Sequence, residues 1–108
     1  MSGAPAGGPP PVYYAFFHSP GPRWAERTGF REQPGVGAHV RYMAEQLEAG
    51  RLVFGGPCLD DSGGMMVLRA ESQAEAELIA GNDPTVLDGL LCVEVKPWMM
   101  AMNSLSTE

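Results

Sequence analysis

Apolar residues along the chain alternate between the spacing of β-strands and the spacing of helices. The aromatic run from Val12 to Phe17, which ends in a turn rich in proline and glycine, predicts the first strand. The segments Arg51 to Phe54 and Met65 to Ala70 predict the second and third strands, and the Asp, Ser and Gly residues at 60–64 predict a hairpin turn between them. The segment Leu90 to Trp98 alternates apolar and polar side chains and predicts a fourth strand.

Two further segments have helical spacing. Between Gly35 and Gly50, apolar residues recur every three or four positions and predict the first helix. Its expected buried stripe consists of Val36, Val40, Met43, Ala44 and Leu47. Ser72 and Glu75 have the pattern of a capping box that starts a second helix, and Pro84 ends it because proline disfavours helical backbone in the residue before it. The order β-α-β-β-α-β is typical of the ferredoxin-like α+β fold, an antiparallel four-stranded sheet with two helices on one face.

The strands are apolar on both faces, although helices cover only one face in this fold. In the first strand, Tyr13 and Phe17 point to one side, while Tyr14 and Phe16 point to the other. A sheet with one solvated face is expected to carry polar side chains there. We therefore expect a second copy of the chain to cover the open face, in a homodimer packed sheet to sheet.

The composition is that of a single acidic domain. The chain has 108 residues, of which 44% are hydrophobic, and this length allows one core but not two. Residues 1–11 are Gly, Ala, Ser and Pro apart from the first Met, and residues 103–108 are mostly polar. We therefore expect a disordered leader over 1–11, a folded domain over 12–102 and a frayed tail over 103–108.

Charge and cysteine usage argue against several classes of function. Seven Lys and Arg stand against thirteen Asp and Glu, and the net charge of −6 argues against nucleic-acid binding. No apolar stretch approaches the ~20 residues that cross a bilayer, and no signal sequence is recognisable, so we expect a cytoplasmic protein without a membrane partner. Cys58 and Cys92 lack both the spacing of a zinc site and the number that a disulfide framework needs.

Residue types suited to catalysis collect at one end of the predicted fold. There the end of the first strand, the start of the first helix and the end of the second helix meet, bringing His18, His39 and Asp83 to one place. At about 100° per residue, His39 lies roughly 70° from the centre of the apolar stripe, at the border of buried and solvated positions. A histidine there, paired with Asp83, is suited to act as a general acid or base. An equally open alternative is a structural border histidine and a turn-forming aspartate.

The loop before the first helix is unusually basic for this chain. Four of the seven basic residues lie there or in the first turns of the helix: Arg23, Arg27, Arg31 and Arg41. Together with Trp24 and Phe30, they suggest a mobile flap that holds a planar or carboxylated molecule. A solvated loop in which arginines pair with Glu26 and Glu32 is at least as consistent with the sequence.

We expect substrate contacts from six residues at this end of the fold: His18, Ser19, Arg23, Arg31, Pro57 and Asp60. For His18, a simpler interpretation is that it is a strand residue before a turn. Two isolated histidines are a weak signal for metal ligation, so no metal site is expected.

Several motifs, in their order along the chain, resemble the YCII-related family, a branch of the dimeric α/β-barrel proteins. They are His39 near the start of the first helix, Gly50-Arg-Leu-Val-Phe-Gly-Gly-Pro57, Ala74-Glu-Ala76, Asn82-Asp-Pro84, Gly89-Leu-Leu and Val93-Glu-Val-Lys-Pro-Trp98. The resemblance spans most of Val12 to Trp98. It implies a ferredoxin-like dimer and a His–Asp pair, carried here by His39 and Asp83. Related proteins are implicated in cofactor-free reactions on small ring compounds, including dehydrohalogenation, so the resemblance implies a site more than one reaction.

Together these observations favour a small cofactor-independent enzyme of the lyase or isomerase type. His39 would move a proton on an enolisable or phenolic substrate, Asp83 would orient it and stabilise its charge, and an arginine would stabilise an oxyanion. No flavin, haem or nicotinamide motif is recognisable, so no cofactor is expected. Two alternatives stay open: a non-catalytic ligand-binding or accessory dimer, and a cofactor-free oxygenase of a polyphenolic substrate.

Overall fold

The structure, a computed structural model, describes residues 12–105. It contains four strands, β1 (Val12–Pro20), β2 (Leu52–Pro57), β3 (Gly64–Leu68) and β4 (Leu91–Met99). They form one antiparallel sheet in the order β2-β3-β1-β4. The expected leader and the last three residues of the expected tail lie outside the described residues.

The helices are α1 (Val36–Glu48), α2 (Gln73–Gly81) and α3 (Pro84–Leu87), and a 3₁₀ turn spans Phe30–Glu32. The ferredoxin-like α+β fold expected from the sequence is confirmed, with α3 and the 3₁₀ turn as additions. Two strands also run past their predicted ends. β1 reaches Pro20 because Ser19 and Pro20 pair with β4, and β2 reaches Pro57 because Pro57 pairs with β3.

The main hydrophobic core lies between the helices and one face of the sheet. It consists of Phe16, Met43, Leu68, Ala76 and Ala80. The buried face of α1 is rotated from the predicted stripe, because α1 buries His39 and Gln46 and leaves Val40 and Leu47 61% and 57% exposed. Both buried polar side chains of α1 have partners outside the helix, because His39 contacts Asp83 and Gln46 accepts a hydrogen bond from Arg51 at 2.7 Å.

The start of α2 differs in detail from the predicted capping box. The Ser72 side chain accepts a hydrogen bond from the Glu75 backbone N–H at 3.1 Å, as expected. The Glu75 carboxylate accepts from the backbone N–H of Glu71 at 2.5 Å, one residue before the cap. Both bonds still satisfy backbone donors near the helix start, so this end of α2 is determined locally.

The long loop between β1 and α1 packs against the domain. The Gln33 side chain is buried, donates to the carbonyls of Ala25 and Thr28, and accepts from the Ala25 N–H. The backbone N–H of Phe30 donates to the Asp61 carboxylate at 2.9 Å. Phe30 anchors a second apolar cluster with Leu90, Leu91 and, at its margin, Trp24, Val36 and Val86. Hydrogen bonds and apolar contacts therefore hold the loop against the rest of the domain, and its movement as a flap stays a prediction.

Within residues 12–105, no helix is both long and apolar enough to cross a membrane.

Candidate functional site

Asp83 is held in place at the start of the short helix α3. Pro84 occupies the first turn of this helix, where its restricted φ and missing N–H are favourable, and Asp83 is the N-cap. The Asp83 Oδ1 atom accepts hydrogen bonds from the backbone N–H and the hydroxyl of Thr85, at 2.9 and 2.7 Å. The Asp83 side chain is fully buried, and these two bonds fix the orientation of its carboxylate. Its other oxygen, Oδ2, faces His39 of α1.

His39 lies in the first turns of α1 and contacts that second carboxylate oxygen. Its Nδ1 atom is 2.5 Å from Asp83 Oδ2. An ionised carboxylate only accepts hydrogen bonds, so the pairing assigns the ring proton to Nδ1. The lone pair of the other ring nitrogen, Nε2, is then available on the side of the cavity that His39 lines.

His18, near the end of β1, completes a buried cluster with this pair. Its Nε2 atom lies 3.9 Å from Asp83 Oδ2, and its ring meets that of His39 edge to face, with centroids 4.8 Å apart. The hairpin between β2 and β3 approaches His18 closely at Gly63, where a Cβ atom would lie 1.8 Å from the His18 carbonyl oxygen. Gly63 also has a φ of 139°, so glycine is required there for two reasons.

The electrostatics of the cluster favour a neutral His18 beside an ionised Asp83. The pKa of His18 is lowered from 6.5 to about 4, chiefly by burial and also by the proximity of His39, while the Asp83 carboxylate opposes the shift. Burial acts to raise the pKa of Asp83, but hydrogen bonds from His39 and Thr85 outweigh it and hold that pKa below its ordinary value.

A cavity of about 360 Å³ adjoins His39. Its lining is mostly apolar, with Val36, Val40 and Met43 contributed by α1 and Met66 by β3. Arg31, from the 3₁₀ turn, adds a cationic group to this lining. The cavity therefore combines apolar walls with one histidine and one arginine, the arrangement of a small-molecule site.

The structure brings some of the predicted site residues together and separates others. His39 and Asp83 are in contact, Arg31 and Pro57 line the cavity, and His18 lies behind His39. These residues come from β1, the 3₁₀ turn, α1, β2 and the α2–α3 junction, so convergence of these elements at one end of the sheet is observed.

The other three predicted substrate contacts lie outside the cavity lining. Ser19 is exposed and pairs with Cys92 of β4. Asp60 is exposed in the hairpin turn and accepts hydrogen bonds from Ser62. Arg23 forms an exposed ion pair with Asp88 at 3.0 Å and lines a separate open groove, so its partner is neither of the expected glutamates.

Thr85 also belongs to the site, although the sequence analysis gave it no role, and Phe30, which the sequence placed in the expected flap, lies beside His39 and lines the cavity. Thr85 could have been found, because a threonine two residues after an N-cap aspartate is positioned to bond to it. Phe30 has its ring 6.2 Å from that of His39, and this contact depends on how the loop folds back. The burial of His39 also exceeds the predicted border position, because its partner Asp83 comes from another element.

Comparisons with known proteins agree with this fold. YjpA of Bacillus subtilis (strain 168), an uncharacterized protein, is 32% identical over 74 residues, which cover 68% of this chain and 87% of YjpA. Among solved structures, 5-chloro-2-hydroxyhydroquinone dehydrochlorinase (TftG) from Burkholderia phenoliruptrix AC1100, in complex with 2,5-dihydroxybenzoquinone, has a TM-score of 0.57 and 21% identity. That match covers 80% of this chain and 92% of TftG, and at this identity it is a likeness of fold. Residues 13–99 match the YCII-related domain, and the chain therefore belongs to the YCII-related family.

Proposed function

We propose that this protein is a cofactor-independent enzyme that moves a proton on a small ring compound or other enolisable metabolite, as a lyase or isomerase does. The observation that carries the proposal is the buried hydrogen bond between His39 Nδ1 and Asp83 Oδ2 at the edge of an apolar cavity. A histidine oriented by a carboxylate, with its second nitrogen free, is the arrangement of a general base.

In the proposed reaction, the Nε2 lone pair of His39 takes a proton from an acidic C–H or O–H group of the substrate. Asp83 stabilises the resulting imidazolium through the hydrogen bond at Nδ1. The electron pair left on the substrate then either expels a leaving group as an anion or takes up a proton at another atom of the substrate. The first outcome is an elimination and the second an isomerisation, and in both the proton that His39 gained is later released.

Arg31 is the residue that we assign to the substrate's developing negative charge. Its guanidinium is a cation with five N–H donors, so it can stabilise a phenolate or enolate oxygen. Of the six expected substrate contacts, this proposal retains Arg31 and Pro57, which line the cavity.

Two observations support a ring compound as substrate. The cavity of about 360 Å³ lies at the lower end of the range for ligand sites and suits a molecule of one or two rings. The structural neighbour TftG is a dehydrochlorinase of a chlorinated hydroquinone and was solved with a dihydroxybenzoquinone. Hydroxylated aromatic compounds have acidic O–H groups and tautomerise readily, which fits a site with one base and one cation.

The proposal is tested by deuterium exchange and by chloride release. The protein is incubated in D₂O with a panel of hydroxylated and chlorinated hydroquinones, including 5-chloro-2-hydroxyhydroquinone, and NMR follows ring C–H exchange while an electrode follows chloride. We expect at least one compound to react without any added cofactor. His39→Gln should lower that rate by at least about 100-fold, because a positioned general base contributes about 10²–10⁴-fold.

The matched control is Arg41→Gln, a change at an exposed residue of the same helix. It should leave the rate within about twofold of wild type, and circular dichroism should show that both variants are folded. An unchanged rate in folded His39→Gln, or no reaction with any member of the panel, contradicts the proposal. If His39→Gln unfolds instead, the pair has a structural role, and a non-catalytic ligand-binding dimer becomes the better interpretation.

We further propose that the protein is a homodimer formed through the open face of the sheet and that it acts in the cytoplasm. The dimer is supported by apolar side chains on the face that the helices leave open. Phe17, Met65 and Trp98 keep 40, 37 and 40% of their surface exposed there, although large apolar side chains seldom gather on a solvated face.

A further inference from the structure

His18 is a buried polar group that the proposed proton transfer does not use. Its side chain is 1% exposed, and neither ring nitrogen has a hydrogen-bond partner within residues 12–105. Buried polar groups normally have a partner, because leaving one unsatisfied costs free energy of desolvation. The surroundings of His18 therefore call for a partner that the described part of the chain does not supply.

The neighbours of His18 are suited to share such a partner. Nitrogen atoms of His18 and His39 and a carboxylate oxygen of Asp83 all lie within 4.8 Å of one another. Two imidazole nitrogens and one carboxylate oxygen are a donor set that zinc and cobalt(II) accept, at about 2.0–2.2 Å from each donor.

The separations between the donors are close to those around a single ion. Tetrahedral ligands at those bond lengths lie about 3.3 Å apart. Asp83 Oδ2 is 2.5 Å from His39 Nδ1 and 3.9 Å from His18 Nε2, so the two separations bracket this value. The third separation, between the nitrogens of the two histidines, is at most 4.8 Å, so a bound ion would draw the histidines closer and replace the hydrogen bond between His39 and Asp83.

We infer that His18, His39 and Asp83 form a binding site for one divalent transition-metal ion of the zinc type. Water or a ligand from the cavity completes the coordination. The sequence contains only a weak signal for this donor set, because its three members come from β1, α1 and the residue before α3 and so lack the spacing of a local metal motif.

Residues around the three donors provide the outer contacts that metal sites require. Thr85 holds the other carboxylate oxygen of Asp83 through two hydrogen bonds, which orients Oδ2. The ring of Phe16 lies 6.4 Å from that of His18, and the ring of Phe30 lies 6.2 Å from that of His39. Such apolar surroundings limit water access and strengthen the attraction between a cation and Asp83.

Metal binding and the proposed proton transfer exclude each other at His39. An ion at Nδ1 uses the lone pair of that nitrogen, so the ring proton moves from Nδ1 to Nε2. His39 then has no free lone pair facing the cavity, and it cannot accept a proton from a substrate. The bound metal is therefore an inhibitor, a consequence that rests on the proposed function, whereas the binding site itself does not.

Cobalt(II) titration of the full-length, chelator-treated protein tests the site. Tetrahedral cobalt(II) has visible absorption bands much stronger than those of the aqueous octahedral ion, so absorbance reports both affinity and geometry. Cys58→Ser and Cys92→Ser are introduced together in every sample, because both thiols are exposed and also bind cobalt. We expect one cobalt ion per chain with tetrahedral bands.

Single substitutions then identify the ligands. His18→Gln and Asp83→Asn should each weaken cobalt binding by at least about 100-fold, because loss of an outer-shell partner alone costs 10–100-fold. Thr85→Val should weaken it by about 10-fold for that reason. Asp88→Asn, at an exposed carboxylate, is the matched control and should leave the affinity unchanged.

Two outcomes overturn the inference. One is a cobalt(II) spectrum with octahedral bands only, and the other is an unchanged cobalt affinity in folded His18→Gln. If His18→Gln does not fold, zinc is titrated into the wild-type protein and NMR follows the ¹⁵N chemical shifts of the imidazole rings. The inference requires that the signals of both His18 and His39 shift when one equivalent of zinc has been added. Absorbance measures metal binding, and deuterium exchange measures proton transfer. The two proposals can therefore fail independently, and the experiments show which one has failed.

Discussion

The two faces of the sheet differ in which kind of side chain is unusually placed. One face buries polar side chains, and the other exposes large apolar ones. The face under the helices includes His18 among its buried positions, next to His39 and Asp83, all at most 4% exposed. The open face leaves Phe17 and Trp98 each 40% exposed. Large apolar side chains are usually buried, and ionisable side chains are usually exposed. Both faces therefore have side chains in positions that lower the stability of an isolated chain.

The two departures differ in how they are resolved. The buried polar groups are largely satisfied within one chain, because Asp83 accepts from His39 and twice from Thr85. The apolar groups of the open face have no such partner within the described residues, and the proposed dimer would cover them with a second copy of the chain. The candidate site and the proposed dimer interface therefore lie on opposite sides of the same strands.

Removal of the central carboxylate has the largest expected effect. Asp83→Ala leaves the N–H of His39 and the hydroxyl of Thr85 buried without their acceptor, so the free energy of unfolding should fall by about 3–5 kcal/mol. Urea denaturation at pH 7 measures the change. Glu77→Ala, which removes an exposed hydrogen bond from Gln73 within α2, should cost less than about 1 kcal/mol. Equal losses in the two variants would contradict the special position of Asp83.

Acid should destabilise the helix-covered face through His18. Its pKa is about 4 in the folded protein, below the value of 6.5 for an unperturbed histidine, so the unfolded chain binds a proton more readily between those pH values. Stability should therefore rise from pH 4 to 6.5, with up to about 3 kcal/mol from this residue. Asp83 adds a further loss as the pH falls through its lowered pKa.

Urea denaturation across this pH range separates the two groups. In His18→Gln the part of the slope between pH 6.5 and 4 should become shallower, while the loss at lower pH from Asp83 remains. A wild-type stability that is constant from pH 6.5 to 4 would show that His18 is not held neutral by burial.

A charge on the open face tests the other half of the comparison. Trp98→Glu should weaken the proposed dimer by at least about 30-fold, because aromatic residues at the centre of interfaces contribute about 2 kcal/mol or more. Light scattering at micromolar concentration measures the mass. Leu78→Glu, at an exposed apolar residue of α2, is the control and should not change it. A monomeric wild type disproves the dimer, and equal effects of the two variants argue against this face.

The smallest expected effect concerns Arg31, the arginine that lines the cavity. Arg31→Leu should weaken binding of 2,5-dihydroxybenzoquinone by about tenfold, or about 1.4 kcal/mol, through loss of a charge-assisted hydrogen bond. Stability should change little because Arg31 is exposed. Isothermal titration calorimetry measures the affinity, with Arg41→Leu as the control. If both variants bind as well as wild type, Arg31 does not contact the ligand.

Local patterns were sufficient to predict most of the fold. The alternation in β4, the cap at Ser72 and the break at Pro84 each depend on interactions within a few residues, so they can be inferred without the tertiary structure. The extension of β1 to Pro20 was missed, because it results from pairing with β4. The buried stripe of α1 was also wrong in part, since burial of His39 and Gln46 depends on partners supplied by other segments.

Periodicity and composition were enough to predict the order of the elements and an acidic single domain. The end of the sheet at which each element finishes predicted that His39 and Asp83 lie close together, and the two side chains are in contact. The folded structure was needed to show that neither ring nitrogen of His18 has a hydrogen-bond partner within the described residues, that Arg31 lines the cavity and that Arg23 does not. Those outcomes depend on side-chain distances of a few ångströms between segments far apart in sequence, which packing of the whole domain determines.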